Sequence, residues 1–471
     1  MGSAPFAARD SDLAISEKAG KKKVSCIRRI GTVLILPAIL LFAQEAALSQ
    51  INVVERTQLD NGVTVLTKVN PSSEIVALRV YLPVGPRYEQ PEQSGLSNLM
   101  LRLLQLGTES RDALRIALDV DSIGADFSTD VNKDYGSLVL KTTRATFEQG
   151  LDVFFDCLLH PTFPEDRLVN ERETILKEIR QEKDSLLTET FRLFQKEIYQ
   201  DHPYGIPAIG VEETVSTFER EDVRRFYESR LDPGRMVFVA VGNFDPEALR
   251  ARLKAELGDF PIRREARPPA LDGRLLPLPT EDRAILFERD CETEWLVLGY
   301  LSPSIKSADY AATKVLDSVM GGSMNSRLFT ELRDKQGLAY QVGSTYPTRL
   351  GPSIYAIYIG AAPENHDAVI AGIAEQVAKI CTEAISEEEL ERAKTYIKGT
   401  FIMGQETNMG QSGLYGLFET LGMGYKYVEE YPRQIDAVTA ERLQEVAREY
   451  LTLYTLTAIR PAATEEKAAT P

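Results

Sequence analysis

Two stretches about 220 residues apart carry the same pattern, and a period that long belongs to a duplicated domain rather than to a solenoid unit. Asp222 to Leu231 sets Val223, Phe226, Tyr227 and Leu231 at helical spacing. Arg442 to Leu451 repeats it with Leu443, Val446, Ala447 and Leu451. An apolar strand follows each, Met236–Val241 and Tyr454–Ile459. A second match sets Glu165–Ile179 beside Glu387–Thr400, both opening on acids, as helix starts favour.

Composition marks the seam. Residues 262–283 gather Arg263, Arg264, Glu265 and Arg267 with Pro268, Pro269, Pro277 and Pro279, charges and prolines without periodicity. The expected organisation is a first half over 50–262, a linker over 263–283, a second half over 284–462 and a disordered tail over 463–471. Strands are expected at 75–83, 136–142, 284–288, 296–300 and 354–359, and amphipathic helices at 146–159 and 365–382. Strands and helices cluster rather than alternate. The expected class is therefore α+β: two homologous domains, each a largely antiparallel sheet packed against helices.

Residues 21–29 are basic, an apolar run from Thr32 to Ala43 follows, and Ala47-Leu48-Ser49 ends it with small residues. That order reads as a secretory signal over 1–49, and the run of about 12 residues is shorter than a spanning helix needs. It implies export across the inner membrane, to the periplasm, with a membrane anchor only if the signal is not cleaved. The whole chain carries a net charge of −16, and the seven basic and four acidic residues of that segment leave −19 beyond it. Such a charge excludes a nucleic-acid binder, which needs a basic face. Beyond the signal, Cys157, Cys291 and Cys381 are widely spaced, and no Cys-x-x-Cys supports a zinc knuckle or a redox dithiol. Cys157, inside an apolar stretch, reads as a small buried hydrophobe.

The segment from Gly95 to Thr108 reads as a helix buried on most faces and capped by Gly107. Its frame of Gly95, Leu96, Leu103, Leu104, Gly107 and Thr108 resembles the zinc-site helix of the pitrilysin/insulinase peptidases. There the inverted motif His-x-x-Glu-His supplies two ligands and a base from one helix. This chain has Asn98 and Arg102 at the ligand positions and Leu101 at the base position. A guanidinium has no lone pair to give a metal, and leucine moves no proton. The resemblance places the third ligand at Glu178 and a further acid at Glu171, both retained. Left with these, Glu178 is either a helix-surface acid or the remnant of a site, and it is expected to face Arg102. The chain's three histidines, His160, His202 and His366, fall at a helix end, in a loop and at a helix start, none at ligand spacing.

The second half reads Met320-Gly321-Gly322-Ser323 and on to Tyr340. Residues 324–335 are expected as a helix with Leu328, Phe329 and Leu332 inward, Gly337 as its left-handed cap, and a strand from Leu338. Gly321-Gly322 lacks the Lys-Ser/Thr of a phosphate loop. Taken alone, Arg333 is a last-turn helix cation and Tyr340 a half-buried strand residue. The stretch is similar to the arginine–tyrosine segment of the same family, over a resemblance that runs roughly from 55 to 455. It implies that Arg333 and Tyr340 hold a peptide substrate and stabilise the oxyanion, facing the zinc site of the opposite half.

Some members of that family divide these parts between two polypeptides, and this chain resembles the one without the metal. The resemblance implies no cofactor here, zinc in a homologous partner subunit, and inactivity alone. The rival reading is a non-catalytic scaffold or assembly subunit like the respiratory-complex core proteins. A pure scaffold has no use for Arg333 and Tyr340 together. A self-sufficient peptidase with another metal site is disfavoured by the histidines.

Overall fold

The structure, a computed structural model, describes residues 53–258 and 280–462. The expected signal over 1–49, nearly all of the linker and the expected tail lie outside these residues. The first half runs β1 (Val54–Gln58), β2 (Thr64–Val69), β3 (Ile75–Leu82), α1 (Leu96–Leu103), α2 (Ala113–Ser122), β4 (Asp126–Val131) and β5 (Gly136–Thr143). It continues with α3 (Phe147–Leu159), α4 (Glu165–Asp184), α5 (Leu186–Tyr199), α6 (Glu212–Val215), α7 (Arg220–Arg230), β6 (Val237–Gly242) and α8 (Pro246–Leu257). The second half runs β7 (Arg283–Arg289), β8 (Glu294–Ser302), α9 (Tyr310–Met320), a π-wound turn (Phe329–Lys335), β9 (Ala339–Thr345) and β10 (Ser353–Ala361). It ends with α10 (His366–Thr382), α11 (Glu387–Met403), α12 (Asn408–Thr420), α13 (Tyr427–Asp436), α14 (Ala440–Tyr450) and β11 (Thr455–Pro461).

The sheets order as β1-β2-β6-β3-β5-β4 and β7-β11-β8-β10-β9. Set β1 aside and the two orders coincide, strand for strand. In each, one pair is parallel, β2 with β6 and β7 with β11, and the rest are antiparallel. The late strand of each repeat, β6 or β11, enters mid-sheet after the helix α7 or α14. The fold is α+β with mixed, mostly antiparallel sheets. β7 begins at Arg283, the last residue of the expected linker.

Residue parity along the central strands explains why they read as unbroken apolar runs. In β6, Phe238 and Ala240 enter a core with the first half's own helices, while Val237, Val239 and Val241 form a second cluster with Leu66 and Tyr81. In β8 and β10, Leu296, Leu298, Tyr355, Ile357 and Ile359 enter one core, and Val297, Ile354 and Ala356 another. Both faces are therefore buried.

The second face of each sheet is covered by a helix from the other half. α5 lies on β8 and β11, burying Phe194, Ile198 and Tyr199 against Val297, Ile354 and Ala356. α12, its counterpart in the repeat, lies on β3 and β6. Two glycines permit this approach. A Cβ on Gly299 would sit 2.4 Å from the Phe194 ring, and one on Gly416 would sit 2.1 Å from the Tyr81 ring. Polar contacts fix the register: Tyr81 Oη donates to the Gly413 carbonyl at 2.6 Å, and Tyr199 Oη to the Pro352 carbonyl at 3.0 Å. Glu189 of α5 is almost fully buried; burial pushes its carboxyl up, but Arg192 at 2.6 Å and Arg289 at 2.9 Å outweigh that and hold it below the usual range.

Two local expectations are corrected. α1 ends at Leu103, not Gly107. Its exit tightens, with Gln105 and Leu106 bonding three residues back, as the chain is drawn into bridges of Gly107 with Asp112 and Thr108 with Pro161. The helix expected over 324–335 begins only at Arg327 and turns into a π-winding from Phe329. The wide turn keeps Leu328 and Leu332 fully buried, and it closes on Leu338, whose N–H bonds the Leu332 carbonyl at 2.8 Å, with Gly337 left-handed at φ 65°.

Candidate functional site

α1 is aimed by a carboxylate that the motif frame does not include. Glu89 is buried, and its oxygens accept the N–H groups of Gly95 at 3.1 Å and Ser97 at 2.7 Å, at the positive end of the helix. Burial pushes this carboxyl up to about 7 against those bonds. Ser97 Oγ in turn accepts the Gly85 N–H at 2.8 Å, tying the helix start to the end of β3. An acid six residues ahead of a helix was visible in the sequence, but nothing there said that the loop folds it back.

Every residue of α1 except Arg102 is buried. Arg102 projects toward α4, on which Glu171 and Glu178 share a face, seven residues or nearly two turns apart. Its Nη1 lies 3.0 Å from Glu171 Oε1 and 3.1 Å from Glu178 Oε1, and its Nη2 lies 2.7 Å from Glu178 Oε2. Its Nε donates to Asn98 Oδ1 at 3.2 Å, one turn back. The expected Arg102–Glu178 contact is thus present, and Glu171 joins it. Burial opposes the charge on Arg102, but the bonds to Glu178 and then Glu171 outweigh it and hold the guanidinium above its usual value.

This donor set does not fit zinc. The two ligand positions offer an amide and a cation, and the cation already occupies both carboxylates. Leu101 points away from the cluster into the core, its Cδ1 beside Gly136. Among the described residues no group of three His, Cys, Asp or Glu side chains is placed to hold a metal ion.

Arg333 and Tyr340 are both exposed. Arg333 lies over the Phe329 ring at 4.8 Å from the centroid, and Tyr340 is 64 % exposed on the edge strand β9. Neither side chain forms a hydrogen bond or ion pair with another described residue, and no hydrogen bond or ring contact joins the two. The structure does not bring them to the Arg102 cluster by any direct contact.

The histidines are engaged elsewhere. His160 ends α3, His202 Nδ1 accepts the Tyr204 N–H at 3.2 Å, and His366 Nδ1 lies 2.7 Å from buried Glu294. Cys157 is fully buried and its thiol is pushed up to about 12, chiefly by burial; Cys291 and Cys381 are partly exposed and free. A polar junction joins the halves where the sequence showed only a loop: Tyr204 Oη bonds Asp134 and accepts the Gly351 N–H at 2.9 Å, and Asp134 Oδ2 accepts the Leu350 N–H at 3.1 Å.

Two family models match the chain: "Insulinase (Peptidase family M16)" over residues 64–212 and "Peptidase M16 inactive domain" over 217–397. Among curated proteins, the uncharacterized zinc protease YmxG of Bacillus subtilis is 28% identical over 87% of this chain and 98% of its own length. An uncharacterized zinc protease of Mycobacterium leprae is 29% identical over 84% of this chain and 89% of its own. Among solved structures, a protease from Helicobacter pylori superposes with a TM-score of 0.81 at 22% identity, over 87% of this chain and 100% of that one. A peptidase M16 inactive domain from Pseudomonas fluorescens gives 0.78, also at 22% identity, over 87% and 98%. These two share the fold.

Proposed function

We propose that this chain, which belongs to the insulinase (M16) peptidase family, is the metal-free subunit of a two-chain zinc peptidase working outside the cytoplasm. The observation that carries the reading is a contrast between its two candidate centres. The metal position is filled by the Arg102 guanidinium bound to both acids, while the Arg333 and Tyr340 side chains are exposed and hydrogen-bond to no described residue. Side chains that serve a centre within their own chain are ordinarily oriented by it. These two are oriented by nothing polar in theirs, which suits donors that meet their target across an interface.

In this reading the partner, a homologous subunit, supplies the zinc and the base. This chain supplies two N–H and O–H donors: Arg333 to the bound peptide, Tyr340 to the carbonyl oxygen as negative charge develops on it. The surplus of negative charge beyond residue 49 favours a partner with basic patches at the rim. The signal-like segment over 1–49 supports the periplasm as the location in this reading.

The test is kinetic. Mixed with a homologue bearing the intact zinc motif, the chain should raise peptide cleavage well above either protein alone. Tyr340→Phe or Arg333→Ala should each remove most of that gain, about 10²–10³ in turnover, in a complex that still assembles by size. If both variants keep full turnover in an intact complex, the pair is structural and the scaffold reading replaces this one. If no zinc-bearing homologue associates, the two-chain reading is wrong.

A further inference from the structure

The repeat that carries the filled metal position in the first half carries an open cleft in the second. There α9 and α11 stand where α1 and α4 stand. With α4 and α11 aligned at their first residues, Glu165 and Glu387, Ala393 takes the place of Glu171. A methyl group replaces the carboxylate, and a cavity of about 320 Å³ opens beside it. Val319, Ala393 and Tyr396 give it an apolar wall, and Met324, 78 % exposed, stands at its mouth.

Its polar groups are few and under-used. Ser318 Oγ is buried in the wall with no hydrogen-bond partner among the described residues, and the Asn325 side chain is exposed beside it. Glu389 is neutralised by Nε and Nη2 of Arg327, at 2.7 and 2.9 Å. Arg392, half exposed, has among the described residues only Glu388 as an ion-pair partner, 3.7 Å away and 90 % exposed. So weak a solvated pair contributes little and yields to a better anion. The cleft thus offers an apolar slot, a fork that suits a carboxylate, and a buried hydroxyl that lacks a partner.

We propose that this cleft binds the C-terminal residue of a peptide, its carboxylate on Arg392, its apolar side chain against Val319, Ala393 and Tyr396, and its last amide beside Ser318. The volume is at the small end for ligand pockets and accommodates one residue with its terminal carboxylate. A simple alkyl carboxylate would satisfy Arg392 but leave Ser318 unpaired, which disfavours a fatty acid. The proposal goes beyond the function above and does not rest on it, since it needs neither partner nor cleavage.

The experiment is calorimetric titration of the whole chain with Ala-Ala-Ala-Ala-Leu as the free acid, with the same peptide as its C-terminal amide, and with octanoate. The free acid should bind at least about tenfold more tightly than either of the others. Arg392→Gln should lower its affinity by a similar factor, and Ala393→Phe should abolish binding by filling the slot. Should Ala393→Phe melt early, Tyr396→Ala serves in its place, with a loss of several-fold expected. The proposal is overturned if acid and amide bind within twofold, if Arg392→Gln changes nothing, if octanoate matches the peptide, or if millimolar peptide gives no heat.

Discussion

Arg102→Met removes the cation from between two carboxylates and keeps most of the side chain's length. It deletes three charge-assisted contacts, at 2.7, 3.0 and 3.1 Å. Bonds to charged groups contribute about 1.5–3 kcal/mol net when buried, but these groups are 20–36 % exposed, which argues for the lower end, near 1.5. The change also leaves Glu171 and Glu178 facing each other. Their oxygens now share one nitrogen, so they lie no more than about 6 Å apart, where two charges repel by about 3 kcal/mol at an effective dielectric near 20. Solvent and salt at this exposure reduce that to about 1. The expected destabilisation is about 2–3 kcal/mol at pH 7, read from the urea midpoint at unchanged slope. In a Glu178→Gln background the same change should lose only about 1 kcal/mol, because one acid and the repulsion are already gone, giving a coupling of about 1–2 in the double-mutant cycle. A single-variant loss under 0.5 kcal/mol, or zero coupling, would refute the view that this guanidinium compensates the two acids.

The purified chain should retain no zinc after dialysis, whereas Asn98→His, Leu101→Glu and Arg102→His together should bind one ion, giving about 2.7 kcal/mol of stabilisation at a hundredfold excess over Kd; metal analysis of both proteins decides it. Gly416→Val should destabilise by about 3 kcal/mol or more, because its Cβ would meet the Tyr81 ring at 2.1 Å; a near-normal urea midpoint would contradict the packing. Lys314 is partly buried with Nζ over the Tyr310 and Tyr346 rings and 2.6 Å from the Tyr346 carbonyl, and desolvation lowers it to about 8 from 10.5. Between those values the unfolded chain binds more protons than the folded one, so this residue makes stability rise with pH across that window; Lys314→Met should flatten the rise in urea midpoints measured from pH 8 to 10.

What could be read from the sequence and what could not divide along a physical line. The repeat set β6 against β11 and α4 against α11 because periodic burial leaves the same trace in both halves. The frame around Asn98, Leu101 and Arg102 led to Glu178 through the family resemblance, and the Arg102 contact followed because a lone partly buried acid there needs a cation. The helix exchange left no trace. An apolar stripe on α5 or α12 says that something covers it, but not whose sheet does so, and Gly299 and Gly416 look like any strand or helix glycine until a ring lies against them. The π-winding after Leu328 follows from where Leu332 and Leu338 must sit, and the early end of α1 from bridges to Asp112 and Pro161. Both are tertiary demands on local sequence. Glu89 belongs with them, since its role depends on how a loop returns.

The exchange of α5 and α12 also bears on how such a molecule came to exist. A chain made of one half alone would keep a sheet with one naked face and a helix with nowhere to lie. Two copies cure each other's defect by the same trade, and that is a closed two-fold dimer in which neither member is complete. Joining the copies end to end changes no contact. It replaces a meeting between molecules, which dilution weakens, with a meeting inside one, which dilution cannot touch. Once the copies are joined, each is also free to drift, so that one can lose a centre while the other keeps a different one. In this chain the two repeats differ at this place, a guanidinium between two acids in one and an open cleft in the other.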